Sequence, residues 1–309
     1  MKIAAVIVTY NRLSDLKNCI RAIRDQTVRP DRMIVVDNGS NDGTDEWLKE
    51  QKDLTVLQQG NSGSAGGQRT GIAYAVEEGY DWIWCFDDDC RPEKHALEQL
   101  LPHMKNNSSA VYNSVPLYDN DTFAFFAYGS KSYADMISQI TDNIYTGFRG
   151  GFFYIGCAIP REIILDVGLP IAELFIRGDE VEYHSRIAEQ YPVYTIPRSI
   201  VYHPREEYFY IEPVKNFTFR FPKNFTPAKL YYHVRNNMML SYRYPKHTLR
   251  IPVSFIKNTS LTLYVILRHY RSREFFAAFF RGLKDSIVQY RQIFNVNGKQ
   301  PAAYRQTAE

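Results

Sequence analysis

Hydrophobic positions follow two alternating patterns over the first 86 residues of the chain. Four short, continuous apolar runs predict strands at residues 2–9, 32–36, 54–58 and 81–86. The stretches between and around them predict helices at residues 13–26, 44–49 and 68–78, with Ser14 and Thr44 as candidate N-caps. Continuous apolar runs are typical of strands buried on both faces of a parallel sheet. The alternation therefore predicts an α/β domain with a mostly parallel sheet.

The middle and the end of the chain are less regular. Further strands are predicted at residues 110–115, 152–160 and 195–202, and further helices at residues 179–189 and 230–242. Residues 123–128 are apolar enough for another strand or for the wall of an acceptor site, and both interpretations stay open. The Gly-rich residues 145–151 predict a mobile loop.

Polar or flexible residues follow each of the four early strands. They are Tyr10-Asn11-Arg12, Asp37-Asn38, the Gly-rich residues 61–67, and Asp87-Asp88-Asp89. In open α/β sheets, ligands bind beyond the carboxyl ends of the strands, so these residues predict one shared binding site. The Gly-rich stretch matches neither the dinucleotide fingerprint nor the P-loop, and alone it indicates only a loop.

Three adjacent carboxylates, Asp87 to Asp89, repel one another, and a solvated turn does not require three. A hard divalent cation would neutralise them, because oxygen-rich sites suit Mg²⁺ or Mn²⁺. An acidic turn after a strand is the alternative interpretation, and the run alone does not separate the two.

Length and composition permit one large domain or two small ones, with 309 residues of which 45% are apolar. The net charge of +3 conceals a division, because residues 226–309 carry 14 Lys/Arg against 3 Asp/Glu, a net +11 that leaves −8 for residues 1–225. The four cysteines show no paired metal-ligand spacing. Neither a signal peptide nor a membrane-spanning run is found, so we expect a cytoplasmic protein.

The basic C-terminal part combines Phe, Leu, Ile and Tyr with Arg and Lys over residues 260–291. This pattern is typical of amphipathic helices in a membrane interface, where anionic lipid attracts each Lys or Arg by about 1 kcal/mol. We expect peripheral attachment to the inner face of the cell membrane, with dimerisation as the competing explanation. The two domains are placed at residues 1–225 and 226–309, residues 300–309 predict a frayed end, and no nucleic-acid partner is expected.

Four motifs in the first part of the chain carry a resemblance to a known superfamily. They are V-I-V-T-Y-N-R, V-V-D-N-G-S-N-D-G-T, N-S-G-S-A-G-G and F-D-D-D, in this order. The set resembles the inverting nucleotide-sugar glycosyltransferases with the GT-A fold, over about residues 2–203. The resemblance implies a Rossmann-like, mostly parallel sheet flanked by helices, followed here by a helical C-terminal extension.

The resemblance also implies roles for the strand-end residues. In the family, the end of the first strand and Asp37 hold the nucleobase, and the acidic motif binds ribose and a divalent metal that bridges the diphosphate. The matching donor-binding positions are Thr9, Tyr10, Asn11, Arg12, Asp37, Asn61, Gly66 and Asp88. The matching metal ligands are Asp87, Asp89 and His203, for Mn²⁺ or Mg²⁺. Without catalysis, Tyr10 is a surface aromatic, Arg12 a helix-face cation and Asp37 a turn cap.

The segment F-I-R-G-D-E-V-E-Y, residues 175–183, places three acids within four residues at the start of a predicted helix. On a helix, Asp179 and Glu182 share a face and Glu180 points elsewhere. An acidic first turn is also what the helix dipole favours. The segment resembles the part of galactofuranosyltransferase-like enzymes that supplies the catalytic base, which implies Glu180 as the base and Asp179 as the alternative.

One further motif lies in the predicted helix 230–242. Its Y-x-x-R-N pattern, which ends in Arg235 and Asn236, resembles the helix that follows the catalytic domain in this family. Arg235 is interpreted either as a cation that neutralises phosphate or acid, or as a buried ion-pair partner.

The resemblance predicts a metal-dependent inverting glycosyltransferase. Its best-matching donor is UDP-galactofuranose, with dTDP-rhamnose as the alternative, and its acceptor is a hydroxyl of a growing, lipid-linked surface glycan. Two other classes stay open, a nucleotidyltransferase and a non-catalytic sugar-nucleotide or membrane-binding module. The chain has no basic Gly-rich loop near the start to hold a triphosphate, which disfavours the first, and the acids of both motifs are intact, which disfavours the second.

Overall fold

The structure is a computed structural model that describes residues 1–125, 132–138, 140, 154–205, 207–214, 217–244 and 259–297. The described residues form two compact units. The first unit takes residues from Met1–Ala172 and Glu180–Arg205, and the second takes Glu173–Asp179 and residues after 205. The second unit thus begins earlier in the chain than the predicted boundary at residue 225. It also includes the short segment Glu173–Asp179, which ends at the first residue of a helix.

The first unit is built on an eight-stranded sheet. Its strands are β1 (Ile3–Thr9), β2 (Arg32–Asp37), β3 (Leu54–Gln58), β4 (Trp82–Asp87), β5 (Arg91–Pro92), β6 (Val111–Leu117), β7 (Ile155–Pro160) and β8 (Val193–Tyr202). They lie in the order β3-β2-β1-β4-β7-β6-β8-β5. Neighbours among β1 to β4 are parallel, as are β6 and β8, whereas β7 is antiparallel to β4 and β6. The mostly parallel α/β sheet predicted from the sequence is confirmed.

Helices flank the sheet. They are α1 (Leu13–Arg24), α2 (Thr44–Lys49), α3 (Gly63–Glu77), α4 (Ala96–Asn106), α5 (Tyr133–Ser138), α6 (Arg161–Val167) and α7 (Asp179–Ala188). Buried side chains of the strands and of α1 and α4 form the largest core, in which Trp84 and Phe86 pack edge to face at 4.5 Å between ring centroids. Apolar runs on strands and apolar stripes on helices therefore meet as predicted.

Helix α3 begins five residues earlier than predicted, so most of the expected Gly-rich loop is its first turns. A Cβ atom on Gly67 would lie 2.3 Å from Val8, and one on Gly71 would lie 2.4 Å from Val6. The glycines therefore let the helix approach β1 more closely than any side chain would allow. The expectation of a loop was wrong because glycines that permit close packing of a helix on a strand look, in a sequence, the same as glycines of a flexible loop.

Both early helices are capped by one aspartate that the sequence did not single out. The Asp42 carboxylate accepts hydrogen bonds from the Leu13 N–H at 3.0 Å and from the Thr44 N–H at 3.2 Å and hydroxyl at 2.5 Å. Ser14 lies inside α1 rather than capping it, and Thr44 is the first residue of α2 rather than its cap. An acceptor at these positions satisfies N–H groups that have no partner within the helix.

The second unit contains an antiparallel strand pair and helices. The elements are β9 (Tyr208–Val214), β10 (Phe217–Pro222), α8 (Pro227–Arg243), α9 (described over 259–265 and continued by a π-helix, Ile266–Tyr270), α10 (Arg273–Val288) and α11 (Tyr290–Asn297). Leu230 and Val234 of α8 and Phe279 of α10 lie in its core. The predicted helical C-terminal extension is present, and none of its described helices is both long and apolar enough to span a membrane.

Three predicted features reach beyond the described residues. The loop expected at 145–151 and the frayed end expected at 300–309 lie outside them, and the strand expected at 152–160 is described only from residue 154. Of residues 123–128 the structure describes the first three, in which Phe123 forms a single antiparallel bridge to Leu117 of β6.

Candidate active site

The carboxyl ends of β1 and β4 lie side by side, at the point where the strand order reverses. Their register pairs Val8 with Asp87, so Thr9 faces the residues that follow β4. The Thr9 hydroxyl donates to Asp88 Oδ2 at 2.8 Å, and Arg12 Nη1 donates to Asp88 Oδ1 at 3.0 Å. Two of the predicted motifs therefore converge, as expected for a site at such a switch point.

Positive charge from the protein itself compensates the acidic motif. Arg12 Nη1 also lies 2.5 Å from Asp89 Oδ2, and His203 Nε2 lies 3.1 Å from Asp89 Oδ1. Asp88 and Asp89 expose only 7% and 12% of their side chains, so these pairs lie largely out of water. Arg12 and His203 therefore supply part of the neutralising charge that we expected from a divalent cation on the basis of the sequence.

The three carboxyl groups differ in acidity. Burial raises the pKa of Asp87 well above its usual value, and the charges of Asp89 and Asp88 add to the effect. Burial likewise raises the pKa of Asp88 to about 6, against the opposing charge of Arg12. For Asp89, burial is outweighed by His203 and Arg12, which hold the pKa of its carboxyl far below the usual range. Asp89 is therefore the most firmly ionised member of the motif.

The residues around Asp89 suit a hard cation, although the described side chains do not form a complete set of metal ligands. His203 Nδ1 donates to the Pro204 carbonyl at 2.7 Å, which directs Nε2 toward Asp89, and the ring lies 4.8 Å from that of Phe125. A hydrogen bond from the other ring nitrogen to a carbonyl orients metal-binding histidines in this way. Asp89 Oδ1 is buried and, although His203 Nε2 lies 3.1 Å away, it accepts no hydrogen bond of good geometry from the described residues. Among the described residues, however, no three His, Cys, Asp or Glu side chains converge as a metal site.

The ends of β1 and β2 are tied together by their turn residues. Asn11, with φ of +53°, accepts a hydrogen bond from the Asn41 N–H at 2.7 Å and donates its own N–H to Ser40 Oγ at 2.9 Å. Asp37, which is 1% exposed, accepts from the Ser40 N–H at 3.0 Å and hydroxyl at 2.6 Å. Asp37 therefore caps this turn, and Tyr10 is 44% exposed beside it.

The predicted donor residues of the Gly-rich stretch have local roles in the structure. Asn61 Oδ1 accepts from the Gly63 N–H at 3.0 Å at the start of α3. Gly66 lies within α3, where a Cβ atom would meet Ser62 Oγ at 2.2 Å. These contacts explain both residue types without a ligand and leave their predicted donor role untested.

The acids of α7 separate into buried and accessible groups. Asp179 and Glu182 are 3% and 1% exposed, whereas Glu180 is half-buried, so the predicted division of faces is confirmed. Glu182 forms an ion pair with Arg186 at 2.9 Å, and Arg186 also donates to the Val167 carbonyl at 2.7 Å. The charge of Glu180 contributes to the raised pKa of Asp87. Glu180 thus lies within electrostatic range of the acidic motif.

Comparison with known proteins decides the family. The family model described as Glycosyl transferase family 2 matches residues 4–167, more than half of the 309 residues. The chain belongs to glycosyl transferase family 2.

Two curated family 2 relatives are similar to this chain. The galactofuranosyltransferase GlfT1 of Mycolicibacterium smegmatis is 31% identical over 205 residues, which are 60% of this chain and 65% of GlfT1. The dTDP-rhamnosyl transferase RfbF of Shigella flexneri is 27% identical over 243 residues, which are 77% of this chain and 79% of RfbF. The chain therefore spans slightly less than two thirds of the galactofuranosyltransferase that it matches.

A solved structure agrees with the predicted fold. The crystal structure of GalNAc-T7 with UDP, GalNAc and Mn²⁺ superimposes with a TM-score of 0.59 at 14% identity, over 96% of this chain and 57% of that one. The family and the GT-A fold predicted from the four motifs are confirmed.

One residue of this family 2 chain was missed by sequence reasoning. Gln68 on α3 is fully buried, and its Nε2 donates to the Phe86 carbonyl at 2.9 Å, directly before the acidic motif. Its Oε1 is buried and has no hydrogen-bond partner within the part of the chain that the structure describes. A glutamine at helical spacing with the apolar Ile72 and Ala75 was the available signal, since a polar group on a buried stripe needs a partner.

Proposed function

We propose that this family 2 chain is a metal-dependent inverting glycosyltransferase that uses UDP-galactofuranose. The acceptor is a hydroxyl of a growing, lipid-linked glycan. The observation that supports the proposal is that the charge of the half-buried Glu180 contributes to the raised pKa of Asp87, in a site that also contains the Asp89–His203 pair. These residues supply the two groups that the proposal needs, a carboxylate to serve as the base and charged side chains to hold a diphosphate with its metal. The similarity to GlfT1 supports the choice of sugar.

In this proposal the acidic motif holds the donor. Asp87, Asp89 and His203 would bind Mn²⁺ or Mg²⁺, and such an ion supplies neutralising charge to a diphosphate leaving group. Asp88, tied to Thr9 and Arg12, faces the ribose or the donor sugar. The ends of β1 and β2, with Tyr10, Asn11 and Asp37, line the pocket for the base of the nucleotide, and Asn61 and Gly66 complete the donor side.

The acceptor is activated by Glu180. Its carboxylate takes the proton of the acceptor hydroxyl as that oxygen bonds to the anomeric carbon and the bond from this carbon to the diphosphate oxygen breaks. Attack from the face opposite the diphosphate inverts the configuration through an oxocarbenium-like state. We place this role on Glu180 rather than on Asp179, because Asp179 is 3% exposed and an acceptor needs access to the base.

Substitution of the base tests the proposal. Glu180→Gln removes the proton acceptor at nearly constant size, and general-base catalysis is worth about 100-fold or more, so transfer from UDP-galactofuranose falls by at least that factor. Binding of UDP with Mn²⁺, measured by calorimetry, stays unchanged. Glu189→Gln is the matched control, because it neutralises an exposed carboxylate just beyond the same helix. Full turnover by Glu180→Gln would contradict the assignment, and retention of configuration in the product would contradict inversion.

The donor dTDP-rhamnose is a second candidate. The match to RfbF extends over 77% of this chain, more than the match to GlfT1. Turnover of purified protein with each donor at equal concentration separates the two, and preference for dTDP-rhamnose would replace our choice of sugar. Family 2 membership favours glycosyl transfer over nucleotidyl transfer.

We also propose that α10 attaches the protein to the inner face of the cell membrane. Phe280, Ile287 and Val288 are 57%, 70% and 57% exposed on this helix. Arg281 and Lys284, which are exposed beside them, suit anionic lipid. A second copy of the chain is the alternative occupant of this face, and sedimentation in the absence of lipid distinguishes it by giving a dimer.

A further inference from the structure

The segment before α7 has an uncommon backbone. Phe175 and Arg177 have φ of +65°, and Gly178 has φ of +100°. Residues other than glycine rarely adopt positive φ, and they keep this backbone conformation only where the surrounding structure holds it. The segment, residues 173–179, belongs to the second unit and ends at Asp179. Its conformation therefore depends on contacts within that unit.

Asn236 of α8 supplies most of these contacts. It is fully buried, and its Nδ2 lies 2.8 Å from the Leu174 carbonyl oxygen, 3.1 Å from that of Ile176 and 2.9 Å from that of Arg177. One amide group thus contacts three main-chain carbonyls within four residues of an irregular segment. Buried carbonyls of this kind must be satisfied, so Asn236 selects this conformation of the backbone.

Arg235 extends the same set of contacts. Its Nη2 donates to the Glu173 carbonyl at 2.6 Å, and its Nε donates to Asn236 Oδ1 at 2.9 Å. Its Nη1 donates to Gln289 Oε1 at 3.1 Å. The guanidinium therefore fixes the orientation of the Asn236 amide while it binds the start of the segment. Neither predicted role of Arg235 fits these contacts, because its acceptors here are neutral oxygens rather than phosphate or carboxylate.

Aromatic contacts complete the attachment. The Phe175 ring stacks on Tyr232 at 4.6 Å between centroids, and the Arg177 guanidinium lies 5.2 Å from the centroid of Phe225. At Gly178 a Cβ atom would lie 3.2 Å from Leu240 of α8. The side chains of Phe175 and Arg177 are thus both in contact with aromatic rings of the second unit, and a larger residue in place of Gly178 would displace Leu240.

We propose that Arg235 and Asn236 are positioning residues for the catalytic base. They fix residues 173–179 and, through the peptide bond that follows Asp179, the start of α7 at Glu180. This inference rests on the proposed function in one respect, the role of Glu180 as the base. It assigns to the Y-x-x-R-N motif the task of presenting the base, with no contact to donor or acceptor.

The substitution Asn236→Asp tests the proposal, with Asn237→Asp as the matched control. The first replaces the donating amide with an oxygen that repels three carbonyls, and the second makes the same chemical change on the exposed face of α8. Misplacement of a reacting group by about 1 Å costs up to about 100-fold, so we expect kcat to fall at least tenfold in Asn236→Asp. The KM for the donor stays unchanged, and the control keeps both constants at pH 8.

A kcat of Asn236→Asp equal to that of wild type would overturn the proposal. A parallel rise in the donor KM would also overturn it, since a general loss of structure disturbs donor binding as well. If Asn236→Asp does not fold, Arg235→Lys replaces it, because lysine keeps the charge but loses the fork that reaches Glu173 and Asn236 together. The expected result is again a lower kcat at constant KM.

A second measurement is independent of turnover. Trypsin cleaves after Arg177 only when the segment opens, so cleavage at this bond accelerates at least tenfold in Asn236→Asp and not in Asn237→Asp. Equal cleavage rates would overturn the proposed attachment. If the wild-type protein transfers no sugar but trypsin distinguishes the two variants, the proposed function fails while the attachment of residues 173–179 by Arg235 and Asn236 stands.

Discussion

Arg12 in the first unit and Arg235 in the second are both surrounded by oxygen atoms, but the oxygens differ in charge. Arg12 meets the carboxylates of Asp88 and Asp89, and 46% of its side chain is exposed. Arg235 is 5% exposed and donates to the Glu173 carbonyl and to side-chain amide oxygens. The first arrangement balances charge around a partly exposed side chain. The second satisfies neutral oxygen atoms of a buried segment, so the same residue type balances charge in one unit and holds a backbone conformation in the other.

The largest expected effect comes from removing the carboxylate that both Arg12 and His203 contact. Asp89→Ala deletes a proposed metal ligand, so we expect loss of about 1000-fold or more in transfer, as for removal of a key electrostatic group. Binding of UDP in calorimetry should lose its dependence on Mn²⁺. Asp15→Ala is the control, because Asp15 lies 3.8 Å from the other side of Arg12 and is half-exposed. Undiminished Mn²⁺-dependent binding by Asp89→Ala would exclude Asp89 as a ligand.

The polar strand ends could be predicted from the sequence, whereas the partners of the two arginines could not. The strand ends and their polar motifs were predicted because buried parallel strands have a strong apolar signal and their polar ends follow at once. The pairing of Arg12 with Asp88 and Asp89 was not predicted, since these partners are separated from Arg12 by 76 and 77 positions along the chain. Arg235 was predicted to meet an anion, because nothing in the sequence marks the main-chain carbonyl and side-chain amide oxygens that accept its hydrogen bonds. Asp42 escaped notice for a similar reason, since its two helix starts meet only in the folded chain.

Replacing each arginine by methionine and measuring the free energy of unfolding distinguishes the two arrangements. Loss of Arg235 leaves several buried oxygens without a donor, which we expect to cost about 3 kcal/mol of unfolding free energy. Loss of Arg12 leaves Asp88 and Asp89 unbalanced and costs about 2 kcal/mol. If Mn²⁺ binds the folded acidic motif as proposed, it should restore much of the second loss and none of the first. Urea unfolding with and without Mn²⁺ measures both, and an equal response of the two variants would remove the distinction.

A comparable effect is expected from acid in the second unit. Burial, aided by the charge of Arg177, lowers the pKa of His233 from 6.5 to about 4. Above pH 6.5 the ring is neutral in both folded and unfolded chains, so its contribution to stability is complete. As the pH falls from 6.5 to 4, the unfolded chain takes up a proton that the folded chain largely does not, and about 3 kcal/mol is lost.

The variant His233→Gln tests this acid sensitivity. It should show a flatter decline of unfolding free energy between pH 6.5 and 4, because it removes the group that titrates differently in the two states. His95→Gln is the control, since that side chain is 50% exposed. An unchanged slope in His233→Gln would assign the acid sensitivity to other groups.

The smallest expected effect concerns the exposed face of α10, where neither arginine takes part. Phe280 is 57% exposed, and transfer of its ring into a lipid interface is worth about 1.5 kcal/mol after allowance for partial insertion, so Phe280→Ser should weaken binding to anionic vesicles about tenfold. Ala277→Ser changes an exposed residue of the same helix with little loss of apolar area and serves as control. Turnover with a water-soluble acceptor should not change, because the substitution touches neither acidic motif. Flotation with vesicles of phosphatidylglycerol measures the binding. If Phe280→Ser floats as wild type does, and if the substitution dissociates a wild-type dimer, then the exposed face of α10 belongs to a subunit contact. The second unit would then position both the proposed base and a partner chain.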